Sequence, residues 1–228
     1  MSNHTMSIWL WSDGLSFAIA DNEPTHIPLS SHSATDYAQL GDALLAHDGT
    51  TDDFDNVTCH VATTRFVVIP SNLADDDIHA MYDVVVPRAE RAEVLLNNVD
   101  EASNVRFAYG IDEGFYHFLL RTYPDIAFTH PLFELHSRYY APTPMGTNAK
   151  LVAVVDRSML YVLVYRRDTL QLANAYETSD TDNIAYYIMN TWQQIDLDVL
   201  ADVLVLDDTT RPQPQLREML STWIKHVI

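Results

Sequence analysis

Two stretches of this sequence carry one pattern, and the repetition limits the fold to two similar sheets. Residues 150–176, KLVAVVDRSMLYVLVYRRDTLQLANAY, break at Asp156-Arg157-Ser158 and again at Arg166-Arg167-Asp168. Three apolar runs of strand length remain, separated by turn-forming polar residues, and they read as an antiparallel meander. The start of the chain, through SIWLWSDGLSFAI, shows the same order. A shift of 143 positions lays Asp13 on Asp156, Ile8 on Leu151, Leu10 on Ala153, Phe17 on Leu160, Ile19 on Val162, Ile27 on Leu170 and Leu29 on Leu172 without a gap. Sequence identity between the two stretches is negligible, so the apolar alternation carries the repeat.

The segments after the two meanders are also alike. After the second, TSDTDNIAYYIMNTWQQIDLD opens with capping residues around Thr178 to Asp182 and places Ile184, Tyr187, Ile188, Thr191, Trp192 and Ile195 on one helical stripe. ADVLVLDD reads as a buried strand, TRPQPQLREMLSTW as a helix begun after two prolines, and IKHVI as the start of a last strand. After the first meander, SATDYAQLGDALLAH supplies a helix carrying Tyr37, Leu40, Leu44 and Leu45, and a strand pair, VTCHVA and RFVVIP, takes the fourth-strand position. Residues 75–148 form an additional mixed block, with helices expected in DDIHAMYDVV, DEGFYHFLLRTYP and PLFELHSRYYAP and a strand in VRFAY. PTPMGTN, at 142–148, reads as the linker between a first lobe at 1–148 and a shorter second lobe at 149–228.

The chain is long enough, and at 47% apolar rich enough, to bury a core without staples. One cysteine, Cys59, excludes an intrachain disulfide framework, and the N-terminus lacks both a basic start and an unbroken apolar run. A cytoplasmic location without membrane insertion is the expectation. Thirteen Lys and Arg stand against 32 Asp and Glu, a formal charge of −19. Such a surface repels nucleic acid, whose attraction depends on phosphate neutralisation, disfavours anionic membranes and weakly opposes ATP.

The segments SIWLWSDGLSFAI, RFVVIPSNL and LVAVVDRSMLYVLVYRRDTLQLANAYETSDTDNIAYY resemble a bacterial domain-of-unknown-function family whose members look like degenerate actin-like proteins. The resemblance implies an α/β fold of two ribonuclease H-like lobes in actin-like arrangement, with mixed sheets, flanking helices and an α/β insertion in the first lobe. In actin-like ATPases the turn between the first two strands of each lobe approaches the nucleotide phosphates through glycines and small hydroxyl residues, with Asp residues holding the metal shell. Only a backbone without side chains lets several N–H groups reach phosphate oxygens. Carried over here, that role falls on Asp13, Gly14 and Ser16 in the first turn and on Asp156, Arg157 and Ser158 in the second. The second turn has no glycine, and neither does any residue from 149 to 228. The expectation is therefore a lost or altered nucleotide site. Asp-Gly is also the favoured pair of a simple hairpin turn, the plainer account of Asp13-Gly14.

Other chemistry finds little support. Glu113 with His117, and His130 with Glu134, could present two metal-ligand pairs, but Pro131 places His130 ahead of its helix and surface pairing explains both. No metal-binding motif occurs, and neither a metal nor a cofactor is expected. Asp75-Asp76-Asp77 suits a helix N-terminus, Cys59 a small core position, and the tyrosines around 161–187 sheet and helix packing. These residues favour a non-catalytic actin-like protein acting through an unknown protein partner or self-association. Two alternatives stand beside it: an ATP-binding member with residual ATPase or kinase activity, and a metal-dependent nuclease, for which neither lobe offers a full carboxylate cluster.

Overall fold

The computed structural model describes residues 4–20, 22–29, 34–89, 91–140, 148–167 and 169–228. Most of the expected linker lies outside them. The elements in chain order are β1 (Thr5–Trp11), β2 (Gly14–Ile19), β3 (Thr25–Pro28), α1 (Ala34–Leu45), β4 (Asn56–Val61), β5 (Phe66–Ile69), α2 (Asp75–Val85), β6 (Glu93–Asp100), β7 (Val105–Asp112), α3 (Glu113–Thr122), β8 (Ala127–Thr129) and α4 (Pro131–Tyr139). Next come β9 (Ala149–Asp156), β10 (Met159–Arg166), β11 (Thr169–Glu177), α5 (Thr181–Gln194), β12 (Val203–Asp207), α6 (Pro214–Trp223) and β13 (His226–Val227). The chain divides into two compact units, Met1–Phe133 and Glu134–Ile228, and α4 spans the division.

Each unit holds a five-stranded sheet of the same plan. The orders are β3-β2-β1-β4-β8 and β11-β10-β9-β12-β13. In both, an antiparallel meander supplies three strands, and two further strands add in parallel beside the first, reached through helices. The repeat in the sequence is real, but its register is not the one the apolar pattern suggested. The first hairpin turns between residues 12 and 13, with Trp11 opposite Gly14. The second turns between 157 and 158, with Asp156 opposite Met159. The two turns thus stand 145 positions apart, so the turn position of Asp13 is taken by Ser158 and that of Trp11 by Asp156. A slip of two residues leaves every side chain on its own face of a strand, which is why alternation could not detect it.

A second correction concerns the strands after α1. VTCHVA forms β4 and takes the fourth place as expected, but RFVVIP does not pair with it. As β5 it joins β7 and β6 in a separate three-stranded antiparallel sheet. Helix α2 covers that sheet, with Ile78 and Tyr82 against Val67, Ile69 and Ala108. Asp75, Asp76 and Asp77 form its first turn, as the helix dipole favours. β6 and the three-residue β8 are strands that the sequence did not disclose.

The second unit has the better-defined core. Leu151, Ala153, Val155, Leu160, Val162 and Val164 from one sheet face pack with Ile184, Ile188 and Trp192 of α5 and with Leu216 and Leu220 of α6. This is the stripe read from the sequence, and Asp180 starts its helix by accepting from the Asn183 N–H at 2.9 Å. Tyr176 stacks on Tyr187 at 4.1 Å, joining β11 to the same helix. Among the described residues no helix is long and apolar enough to cross a membrane.

Candidate functional site: the two hairpin turns

Asp13, Gly14 and Ser16 lie in the first unit and Asp156, Arg157 and Ser158 in the second, each set at the turn between the first two strands of its sheet. In the first turn the glycine has a structural duty. Gly14 sits at φ +148°, and a Cβ there would lie 2.2 Å from the Ile27 carbonyl oxygen and 2.9 Å from Pro28 Cα. The close approach of β3 to β2 requires the missing side chain. The Leu29 N–H donates to the Asp13 carbonyl at 2.8 Å and holds β3 against the turn. Ser16 is buried, and its Oγ accepts from Trp11 Nε1 at 3.2 Å and pairs with His26 Nδ1 at 3.0 Å. Its hydroxyl thereby knits three strands together.

The second turn is held from outside by the segment between β12 and α6. Arg157 occupies the left-handed region, with φ +49°. Arg211 donates through Nη1 to the Arg157 carbonyl at 2.8 Å and through Nη2 to the Ser179 carbonyl at 3.0 Å. One guanidinium therefore ties the β9–β10 turn to the segment entering α5. Thr210 Oγ1 adds a bond to the Val155 carbonyl at 2.9 Å, and the Thr178 N–H donates to the Ser158 carbonyl at 2.7 Å. Burial raises the Asp156 carboxyl above the usual range, opposed by the neighbouring Thr210 hydroxyl and by the charge of Arg157, and Asp207 adds to the rise.

The two carboxylates at the end of β12 are likewise committed to protein groups. Asp207 accepts from Tyr139 Oη and from the Thr209 N–H and hydroxyl. Asp208 accepts from the Gln213 N–H at 2.7 Å and from Arg217 at 3.2 Å. Burial alone would raise both, yet these hydrogen bonds, with the positive charges of Arg138 and Arg217, hold them below the ordinary value. Arg211 is the residue that the sequence reading missed. Its only signal was a cation between a strand and a helix in TTRPQP, which does not reveal main-chain carbonyls as its targets.

The remaining candidates resolve individually. His130 precedes α4 and is fully buried; Leu132 N–H donates to its Nδ1 at 3.1 Å, so its Nε2 donates to the Thr63 carbonyl at 2.9 Å. Both ring nitrogens serve the main chain. Cys59 is buried in β4, where desolvation pushes its thiol far up. Among the described residues no three His, Cys, Asp or Glu side chains gather to hold a metal ion.

Solved structures share this architecture. A crystal structure from Bacteroides thetaiotaomicron VPI-5482, a protein with actin-like ATPase fold and unknown function, superposes with a TM-score of 0.81 over 99% of this chain and 90% of its own, at 24% identity. A chain of the PilM-PilN type IV pilus biogenesis complex superposes with a TM-score of 0.58 over 100% of this chain and 89% of its own, at 8% identity. The fold is that of the actin-like ATPases, as the resemblance implied. No curated protein shows significant sequence similarity. The profile of a family described as protein of unknown function (DUF3822) matches residues 1–227, and the chain belongs to that family.

Proposed function

We propose that this is a non-catalytic, cytoplasmic actin-like protein whose nucleotide site has been lost and which acts by contact with a protein partner. The observation that carries the reading is the bracing of the second turn. A phosphate-binding turn needs a pliant, glycine-bearing backbone whose N–H groups converge on the anion. Here a non-glycine residue, Arg157, holds the left-handed position, and Arg211 fastens the turn's carbonyl to the protein. In the first turn Gly14 serves strand packing and Ser16 serves cross-strand hydrogen bonding. A protein of like fold, PilM, occurs in a complex with PilN, which accords with a fold used for its surfaces.

The test is calorimetric titration of the purified protein with ATP and Mg²⁺, repeated on Asp13→Ala and Asp156→Ala. A flat trace is expected. Saturable micromolar binding that both substitutions weaken would replace this reading with that of an ATP-binding actin-like protein with residual ATPase or kinase activity.

A further inference from the structure

The side chains of α2 sort onto three flanks. Ile78 and Tyr82 face the sheet beneath. His79, Asp83 and Val86 line, with Glu93 and Leu95, a cavity of about 930 Å³, so that flank looks toward β6. At about 100° per residue, Met81 and Val84 turn away from Ile78 on the side opposite His79 and Asp83, toward the outer side of β5, and Val85 follows them at the end of the helix. They are 40%, 87% and 58% exposed, a row of three large apolar side chains at i, i+3 and i+4. Single exposed apolar residues are ordinary, but a stripe at helical spacing marks a contact surface.

The strand beneath that flank is open. β5 ends its sheet, and among the described residues no strand pairs with its outer side. The Gly110 N–H donates to the Arg65 carbonyl, and Phe66 stands opposite Tyr109. In an antiparallel ladder of this phase Arg65, Val67 and Ile69 bond to β7, while Phe66 and Val68 turn their N–H and C=O groups to the outer edge. A free edge beside an exposed apolar helix flank is a slot for one more strand.

Charge selects the occupant. Asp77 lies one turn before Met81 on the same flank, between the directions of Met81 and Val84, and the chain as a whole carries −19. A second copy would bring the same acidic rim against itself, whereas a basic segment is attracted. We propose that β5 and the outer flank of α2 receive an extended segment of a partner protein, apolar at alternate positions and carrying Lys or Arg between them, which adds to β5 as a strand. This rests on the reading of the chain as an interaction protein.

The probe is a fluorescein-labelled peptide of alternating Val and Lys, about nine residues long so as to overrun β5, with an alternating Val and Glu peptide for comparison. Fluorescence anisotropy at low salt reports binding, and hydrogen exchange reports protection at the Phe66 and Val68 amides. The Val/Lys peptide is expected to bind and protect both amides, and N-methylation of its alternate amides to abolish binding. Val84→Glu is expected to weaken binding about tenfold or more, although it adds a negative charge. Four results would overturn the proposal: no binding, binding that Val84→Glu leaves equal or strengthens, undiminished binding of the N-methylated peptide, or a dimer in sedimentation that Val84→Glu dissociates. The last would make a second copy the occupant. ATP binding in the calorimeter would overturn the functional reading alone, and a flat anisotropy trace the strand slot alone.

Discussion

The guanidinium of Arg211 donates to the main-chain carbonyl of Arg157 at 2.8 Å, so a cation from the segment between β12 and α6 fixes the β9–β10 turn. A charged donor on a carbonyl is worth more than a neutral pair, and this one also reaches Ser179. Arg211→Ala should therefore lower stability by about 1–3 kcal/mol, read as a fall in the urea midpoint. Arg211→Lys should recover less than half of that, since an ammonium lacks the planar fork that serves two carbonyls. Equal midpoints for Arg211→Lys and the parent would show that charge alone suffices.

The two hairpins make opposite demands on side chains. Gly14→Ala would drive a Cβ into the Ile27 carbonyl at 2.2 Å while holding φ at +148°. A cost of at least ~3 kcal/mol is expected, because β3 must move and the strained backbone persists. Arg157→Gly runs the other way, relieving a left-handed φ of +49° that costs an L-residue about 1 kcal/mol, offset in part by the greater freedom of the unfolded chain. Its midpoint should stay within ~1 kcal/mol of the parent. Comparable losses in both variants would contradict the packing account of Gly14.

How far the sequence could be read depends on these same residues. Unbroken apolar runs in Leu151–Val155 and Leu160–Val164, buried throughout, and the stripe from Ile184 to Trp192 made the second sheet and α5 legible. The register between the repeats was not legible, since a two-residue slip conserves every face. β8 is three residues long and held by pairing with β4, and β6 shows no clean alternation of burial, so neither carries a local signal. At the site, Gly14 was visible as a turn residue, but its reason, the nearby backbone of β3, is a tertiary fact. Arg211 lies 54 residues from the carbonyl it holds, beyond any local pattern.

Acid should reveal His130. Burial keeps its ring neutral down to about 4, whereas an unfolded histidine takes up a proton near 6.5. Between those values the unfolded chain binds a proton that the folded chain refuses, so stability must fall as pH drops through this window, by up to ~3 kcal/mol. His130→Gln removes that titration and leaves one of the ring's two hydrogen bonds without a replacement. The variant should be less stable than the parent at pH 7 by about 1–3 kcal/mol, and the difference should shrink toward pH 4. Urea midpoints measured over that range decide it; parallel curves for the two proteins would mean that the buried ring does not titrate as described.

Cys59 offers a direct report on opening of the first sheet. The thiol lies in β4, between β1 and β8, with no solvent exposure, and burial raises its pKa far above that of a free thiol. The Cys59 thiolate must attack the disulfide reagent and expel its other half as a thiolate, so the native chain should be inert and modification should wait for β4 to open. The expected rate at neutral pH is independent of reagent once reagent is in excess and opening is limiting, and it should rise in Gly14→Ala, which loosens the β2–β3 edge of the same sheet. Arg211→Ala acts in the other unit and should leave the rate unchanged. Rapid modification of the parent would mean that β4 is accessible in the native state, and acceleration by Arg211→Ala would mean that the two units open together.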